Sequence, residues 1–118
     1  MSHEEKTKTT AKEASKILES TPYMKGFHFY AAVDHYTEET ASNLFEFSKA
    51  LETIPERSII FHSQRKDFQK WISQTIGDTQ LAERIDKIES TLPAEEIRKR
   101  LVTTIRVRIA ELEKISSK

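Results

Sequence analysis

The chain lacks cysteine altogether, which excludes disulfide bonds, thiolate chemistry and zinc sites built on thiolates. It has only two glycines and three prolines, too few for the many turns of a β-sandwich or barrel. Its net charge is zero, so no overall field steers it toward nucleic acid or a membrane. The longest apolar run, residues 29–33, is far shorter than a membrane span. Together with a polar N-terminus that lacks the apolar core of a signal peptide, these absences predict a cytoplasmic protein with no membrane partner.

The length of 118 residues suits one domain with a single core. Residues 1–9 are polar and charged, which predicts a disordered tail ahead of one helical domain over residues 10–118. Charged residues make up 32% of the chain, which is typical of helices with solvated outer faces. The predicted fold class is therefore all-α: a compact bundle of about four main helices, with a weak N-terminal helix and an extended aromatic connector.

Proline and capping residues predict the boundaries of the first helices. The weak N-terminal helix spans residues 10–20 and ends there because the residue before Pro22 avoids the helical region. Within residues 23–33, Phe27 and Phe29 alternate with His28 and Tyr30, a period typical of extended chain. The segment is therefore predicted to be an extended connector that lies across the helices without a partner strand. Thr37, ahead of two glutamates, predicts the N-terminus of the first main helix, and Pro55 predicts its end.

The second half of the chain has clearer helical signals. A helix is predicted to kink near Lys66, where Asp67 caps its continuation. Gly77 predicts the end of this helix, since glycine enters the left-handed conformation freely, and Asp78 predicts the start of the next. After Pro93, apolar residues at spacings near 3.6 predict a C-terminal helix of about 22 residues. These residues are Ile97, Leu101, Ile105, Ile109, Leu112 and Ile115.

One candidate functional cluster contains His62, Arg65, Asp67 and Trp71. On a continuous helix, His62 shares a face with Arg65, and Asp67 shares another with Trp71. A histidine beside a carboxylate and an arginine suits a general base or an anion site. The alternative, which we favour, is structural: His62 packs partly buried, Asp67 caps a helix and Trp71 fills the core. No serine or cysteine nucleophile has a defined relation to His62, so no catalytic residue is assigned.

The four histidines also raise the question of a metal site. Their positions, 3, 28, 35 and 62, match no ligand spacing of a metal site, and His3 lies in the predicted tail. No phosphate-binding loop or cofactor motif is present either. The sequence therefore predicts no metal ligands and no cofactor-binding residues, and it favours a protein that is not an enzyme.

Aromatic residues gather just before the main helices, at Tyr23, Phe27, Phe29, Tyr30 and Tyr36. Such a group is more often a lid on the core than a ligand site. An irregular aromatic segment is nevertheless the place where a pocket or a partner groove would form.

A basic stretch in the C-terminal helix suggests a nucleic-acid partner. It holds five positive charges and no acid between Ile97 and Ile109, a pattern that can neutralise phosphates. The alternative is a solvated outer face, in which arginine stems cover apolar surface. No aromatic residue alternates with these cations to stack bases, which weakens the case for single-strand binding. The candidate nucleic-acid contacts are Arg98, Lys99, Arg100, Arg106 and Arg108.

Four segments of the chain read FYAAVDHYTEETASNLFEFSKAL, RSIIFH, RKDFQKW and GDTQLAERI. Together they resemble an uncharacterised prokaryotic family of all-helical domains, found mainly in archaea. The resemblance covers residues 27–88, roughly half of the chain. It implies a helical fold, in a stand-alone protein or an accessory domain of unknown function, and it transfers no catalytic residue.

The favoured function is a non-enzymatic protein-interaction or regulatory module. The apolar face of the C-terminal helix is long for so small a bundle, and surplus apolar area would pair with another helix or a second copy. We therefore expect a protein partner or a homo-oligomer. A nucleic-acid-binding accessory protein that uses the basic C-terminal helix is the second hypothesis. An enzyme that uses His62 and Asp67 is the third.

Overall fold

The structure, a computed structural model, describes residues 8–117. Two strands lie between a short N-terminal helix and a run of further helices. In chain order the elements are α1 (Ala11–Ile17), a 3-10 turn (Tyr23–Lys25), β1 (Phe27–Ala32), β2 (His35–Ala41), α2 (Leu44–Thr53), α3 (Glu56–Arg65), α4 (Asp67–Trp71), a π-helical turn (Ile72–Ile76), α5 (Thr79–Asp86) and α6 (Ala94–Ser116).

The two strands form an antiparallel hairpin, so the all-α prediction is wrong and the fold is mixed. Phe27 pairs with Ala41, and Tyr30 pairs with Tyr36. Along β1, buried side chains alternate with partly exposed ones, so one face of the hairpin packs on the helices. The chain reverses at Asp34, whose φ of 66° is in the left-handed region that aspartate tolerates in turns. The predicted extended connector is therefore a strand with a partner.

The helix predicted to start at Thr37 starts at Leu44 instead. Thr37 lies in β2, and its hydroxyl donates a hydrogen bond to the carbonyl oxygen of Phe29 at 2.7 Å. The N-cap of α2 is Asn43, whose side chain accepts a hydrogen bond from the backbone N–H of Glu46 at 2.8 Å. Thr37 has the local chemistry of a cap, but the residues on either side of it, Tyr36 and Thr40, pair with Tyr30 and His28 of β1 and hold the segment extended.

The predicted helix breaks in the second half of the chain are confirmed. Helix α3 ends at Arg65, Lys66 follows with a left-handed φ of 61°, and α4 begins at Asp67. The prediction that Asp67 caps this continuation is wrong, because its carboxylate binds His62 and Arg65 instead. Gly77 ends the π-helical turn with a φ of 89°. Asp78 caps α5 by accepting a hydrogen bond from the backbone N–H of Leu81 at 3.1 Å. These breaks position α3, α4 and α5 around the core.

Replacing Gly77 with alanine should destabilise the protein by about 1–2 kcal/mol, because an L residue is strained in the left-handed region. A Cβ atom at this position meets no heavy atom within 4 Å, so conformational strain is the only source of the loss. Chemical denaturation measures the effect. Gly77→Asn is the matched control and should lose less, since asparagine tolerates this conformation better than alanine. A Gly77→Ala protein as stable as the wild type would contradict the prediction.

Helix α6 forms one wall of the core and packs against α1, α2, α3 and α5. Its predicted apolar stripe is buried from Ile97 to Leu112, and Ile115 packs against the core while partly buried. Because neighbouring helices cover this stripe, it is not available to a partner helix, and Val107 is the exposed large apolar residue of α6. Within residues 8–117, no helix combines the length and the apolar character that crossing a membrane requires.

Candidate functional site

His62 lies near the end of α3 and links this helix to β1 and α4. Its ring is buried, with 3% of the residue exposed. The Nε2 atom accepts a hydrogen bond from the backbone N–H of Tyr30 at 2.8 Å. The Nδ1 atom lies 2.8 Å from Oδ2 of Asp67 and carries the proton, because the lone pair of Nε2 is already in use. Structural partners therefore occupy both ring nitrogens of a neutral imidazole.

The surroundings of His62 favour this neutral form. Burial lowers the pKa of His62 below its ordinary value of 6.5, and this effect exceeds that of the Asp67 carboxylate, which raises the pKa. A general base needs a free lone pair that faces the substrate. Because the backbone of Tyr30 takes the Nε2 lone pair, the geometry gives no support to His62 as a general base.

Arg65, Asp67 and Trp71 lie in the same region of the surface as His62. Oδ2 of Asp67 accepts a second hydrogen bond from Nε of Arg65 at 3.0 Å. The Arg65 guanidinium also lies 4.9 Å from the centroid of the Phe61 ring, which is a cation–π contact. Nε1 of Trp71 donates a hydrogen bond to the carbonyl oxygen of Lys25 at 2.8 Å. The structure thus brings all four residues of the predicted cluster together.

These residues line a groove of about 390 Å³ between β1 and the helices α3 and α4, which we name the β1–α3 groove. On the strand side it is lined by residues of β1, a strand of roughly 20 Å, and by Gly26, Val33 and Asp34 beyond its two ends. Tyr30 and Val33 contribute apolar surface on this side. The helix side is formed by Phe61, Arg65, Asp67 and Trp71.

Sequence reasoning did not find this groove because it exists only once β1 lies against α3. His28, Tyr30 and Phe61 line it, and none of them belongs to the predicted cluster. The signal was the aromatic segment before the main helices, where a pocket or partner groove was expected. What the sequence did not indicate was which helix would form the opposite wall.

Most of the cations proposed to contact nucleic acid bind carboxylates of the chain. Nε of Arg98 lies 2.9 Å from Glu95, and Nε of Arg100 lies 2.8 Å from Glu96. Arg106 binds a glutamate on α2, Glu52. A phosphate would have to displace these carboxylates, so the basic stretch is less available than its sequence indicates. Lys99 lies with Arg100 at a shallow depression on the outer side of α6.

Arg108, the fifth of these cations, is buried in the protein, with 3% of the residue exposed. Its Nε and Nη2 atoms bind the two carboxylate oxygens of Asp78 at 2.7 and 3.2 Å. Its Nη1 atom binds Glu111 at 3.1 Å. Burial acts to lower the pKa of Arg108, but the hydrogen bonds and charges of Asp78 and Glu111 hold it above its ordinary value. Arg108 therefore joins α6 to the N-terminus of α5.

Part of the predicted tail is held by this network. Oγ1 of Thr9 accepts hydrogen bonds from Nη2 of Arg108 at 3.1 Å and from Nε2 of Gln80 at 3.2 Å. Residues 1–7 of that tail lie outside the described residues.

The histidines do not converge on a metal site in the described part of the chain. Nδ1 of His28 is 2.8 Å from Oγ1 of Thr40, and His62 is bound as described above. Among residues 8–117, no group of three or more histidine, aspartate or glutamate side chains is arranged to hold a metal ion. His3 lies outside the described residues.

Comparison with known proteins identifies one family. A model described as a family of unknown function (DUF5752) matches residues 6–106 of the chain. This range extends beyond residues 27–88 on both sides and includes α1 and the first half of α6. No curated protein and no solved structure shows a significant match.

Proposed function

Because the chain belongs to DUF5752, a family of unknown function, we propose a function from its own site: a non-enzymatic module that binds an extended peptide segment of a partner protein. The segment binds in the β1–α3 groove. The observation that carries this proposal is a mostly apolar groove with aromatic residues on both sides, beside the length of a β-strand. Strands and helices commonly form such grooves for extended peptides.

The shape of the surface supports an extended occupant. The groove follows β1 for roughly 20 Å, which corresponds to about six residues of extended chain. Large apolar residues are exposed at both ends of the strand: Val33 is 69% exposed at the hairpin turn, and Met24 is 86% exposed ahead of β1. Exposed apolar surface that continues into a groove is typical of an interaction site.

The charges of the groove indicate which segment fits best. The positive charge of Arg65 is matched by Asp67 at 3.0 Å. Asp34, exposed at the hairpin turn, adds a further negative charge to the lining. We therefore propose an apolar segment with a lysine or arginine at the end that lies near Asp34, because complementary charge fixes the orientation of a bound peptide.

Binding of phage-displayed random dodecapeptides to the full chain tests the proposal. We expect enrichment of sequences with alternating apolar residues and one basic residue. Trp71, the one tryptophan of the chain, lines the groove and should change its fluorescence when such a synthetic peptide is added. Phe61→Ser should weaken binding roughly tenfold or more, as expected for an aromatic residue central to an interface.

Phe45→Ser is the matched control for this experiment. Phe45 is an exposed phenylalanine on α2 that does not line the groove, so its replacement should leave peptide affinity unchanged. Circular dichroism verifies that both variants are folded. Failure to enrich any peptide, or equal affinities of the Phe61→Ser and wild-type proteins, would overturn the proposal.

Other functions have less support. A nucleic-acid-binding accessory role rests on Lys99, since Arg98, Arg100, Arg106 and Arg108 are bound to carboxylates of the chain. A homo-oligomer formed through α6 lacks the surplus apolar surface that motivated it. We propose a cytoplasmic location on the sequence features alone, and a mainly archaeal family on the resemblance of residues 27–88.

A further inference from the structure

We infer that protonation of His62 releases strand β1 from helix α3 and thereby opens the β1–α3 groove. The inference concerns the regulation of the groove, so its biological meaning rests on the proposed function. The release itself should occur in the free protein without any peptide, because it depends on one hydrogen bond within the chain.

The hydrogen bond between Tyr30 and His62 exists only while the imidazole is neutral. The backbone N–H of Tyr30 donates to Nε2 at 2.8 Å, and Nε2 has one lone pair for this purpose. A proton taken up at Nε2 turns it into a second donor that faces the first. The bond is then lost, and two N–H groups at this distance repel each other. Proton uptake therefore separates the strand from the helix.

The surroundings of His62 determine which of its two contacts breaks. On the α4 side the Asp67 carboxylate lies 2.8 Å from Nδ1 and holds a charged imidazole more strongly than a neutral one. Arg65, bound to the same carboxylate, is the charged neighbour on α3. On the β1 side the ring contacts are those of Phe27 and Phe29, at centroid distances of 4.8 and 6.2 Å. The protonated ring therefore stays with α4, and β1 is released.

The direction of the pH dependence follows from linkage. Burial lowers the pKa of His62 in the closed protein below its ordinary value of 6.5. The stabilising contact is fully present above pH 6.5 and is lost progressively as the pH falls from there through the lowered pKa. Within that window, the population of the opened state should rise up to about tenfold for each pH unit.

Hydrogen exchange of the Tyr30 amide, measured by NMR on the full chain without peptide, tests this inference. After correction for the intrinsic exchange rate, we expect exchange at Tyr30 to accelerate on the order of tenfold between about pH 7 and about pH 5. The amide of Leu101 in the core helix α6 exchanges only through global unfolding and should stay far more protected than the Tyr30 amide at every pH in this range. Equal protection factors at the two amides would show that Tyr30 exchanges by global unfolding and would overturn the inference.

Two further measurements separate this mechanism from other effects of acid. In His62→Gln, the side-chain oxygen replaces Nε2 as an acceptor but does not titrate in this range, so exchange at Tyr30 should become independent of pH. Acceleration that persists in this variant would assign the effect to another group. In the wild type, ring nitrogen shifts should show the Nδ1–H tautomer at neutral pH, and the Nε2–H tautomer would refute the mechanism even if His62→Gln does not fold. Because no peptide is used, these outcomes are independent of the proposed binding function.

Discussion

Replacing Arg108 with alanine should lower the free energy of unfolding by about 3–5 kcal/mol, a large part of the roughly 5–15 kcal/mol that stabilises a domain. The loss arises because Asp78, only 2% exposed, keeps its negative charge in the interior without the cation that binds both of its oxygens. Urea denaturation followed by circular dichroism measures the change.

Two variants make this prediction specific. Arg100→Ala removes an exposed arginine from the same helix, one that pairs with Glu96 a turn earlier, and should cost less than about 1 kcal/mol. Asp78→Asn in the Arg108→Ala background removes the buried charge while keeping an acceptor at the N-cap of α5, and should restore part of the loss. If Arg108→Ala destabilises the protein no more than Arg100→Ala, the ion pair does not have the structural role assigned to it.

Trp71→Ala should destabilise the protein by about 3–5 kcal/mol because it removes a large side chain from the aromatic core. The residue is 8% exposed, and its ring lies 5.1 Å from that of Phe47 and 5.7 Å from that of Phe27. The substitution also removes the donor that binds the carbonyl oxygen of Lys25 at 2.8 Å. Circular dichroism has to follow unfolding here, since the variant has no tryptophan to report by fluorescence.

Trp71→Phe is the control that separates packing from hydrogen bonding. Phenylalanine keeps most of the ring contacts but leaves the Lys25 carbonyl without its donor, so we expect a smaller loss of about 1–3 kcal/mol. Equal losses in the two variants would show that the hydrogen bond, and not the ring volume, provides the stability. Native Trp71 emission like that of an indole in water would contradict the buried placement itself.

Several elements of the fold could be predicted because they depend on only a few neighbouring residues. The left-handed Gly77 and the Asp78 cap beside it act within one turn of their own positions. The same is true of the break at Lys66, after which α4 begins. The buried stripe of α6 follows from the helical repeat alone.

The hairpin could not be predicted in the same way. Thr37 and the glutamates after it have the local features of a helix N-terminus, yet they lie in β2. Whether such a segment is helical or extended depends on the strand that pairs with it, and β-propensity is strongly dependent on context. Asn43, with Glu46 three residues later, was the local signal for the true start of α2.

Arg108 lies in a correctly predicted helix, but its buried ion pair could not be predicted from the sequence. Its position, seven residues after Leu101 and four before Leu112, places it on the buried face of α6. That spacing was a usable sign that Arg108 differs from the other basic residues. The buried carboxylate that makes the position tolerable belongs to Asp78, which was identified only as a helix cap.

The sequence by itself determined the left-handed stop at Gly77, the Asp78 cap, the apolar periodicity of α6 and the grouping of His62 with Arg65, Asp67 and Trp71. These properties depend on interactions between residues that are close along the chain. Tertiary structure decided that His62 meets the amide of Tyr30, 32 positions away, and that Arg108 meets Asp78, 30 positions away. Such contacts depend on packing, because a polar group removed from water needs a hydrogen-bond partner and the fold determines which residue lies beside it. The pairing of β1 with β2 places Tyr30 beside α3, and the packing of α5 against α6 places Asp78 beside Arg108.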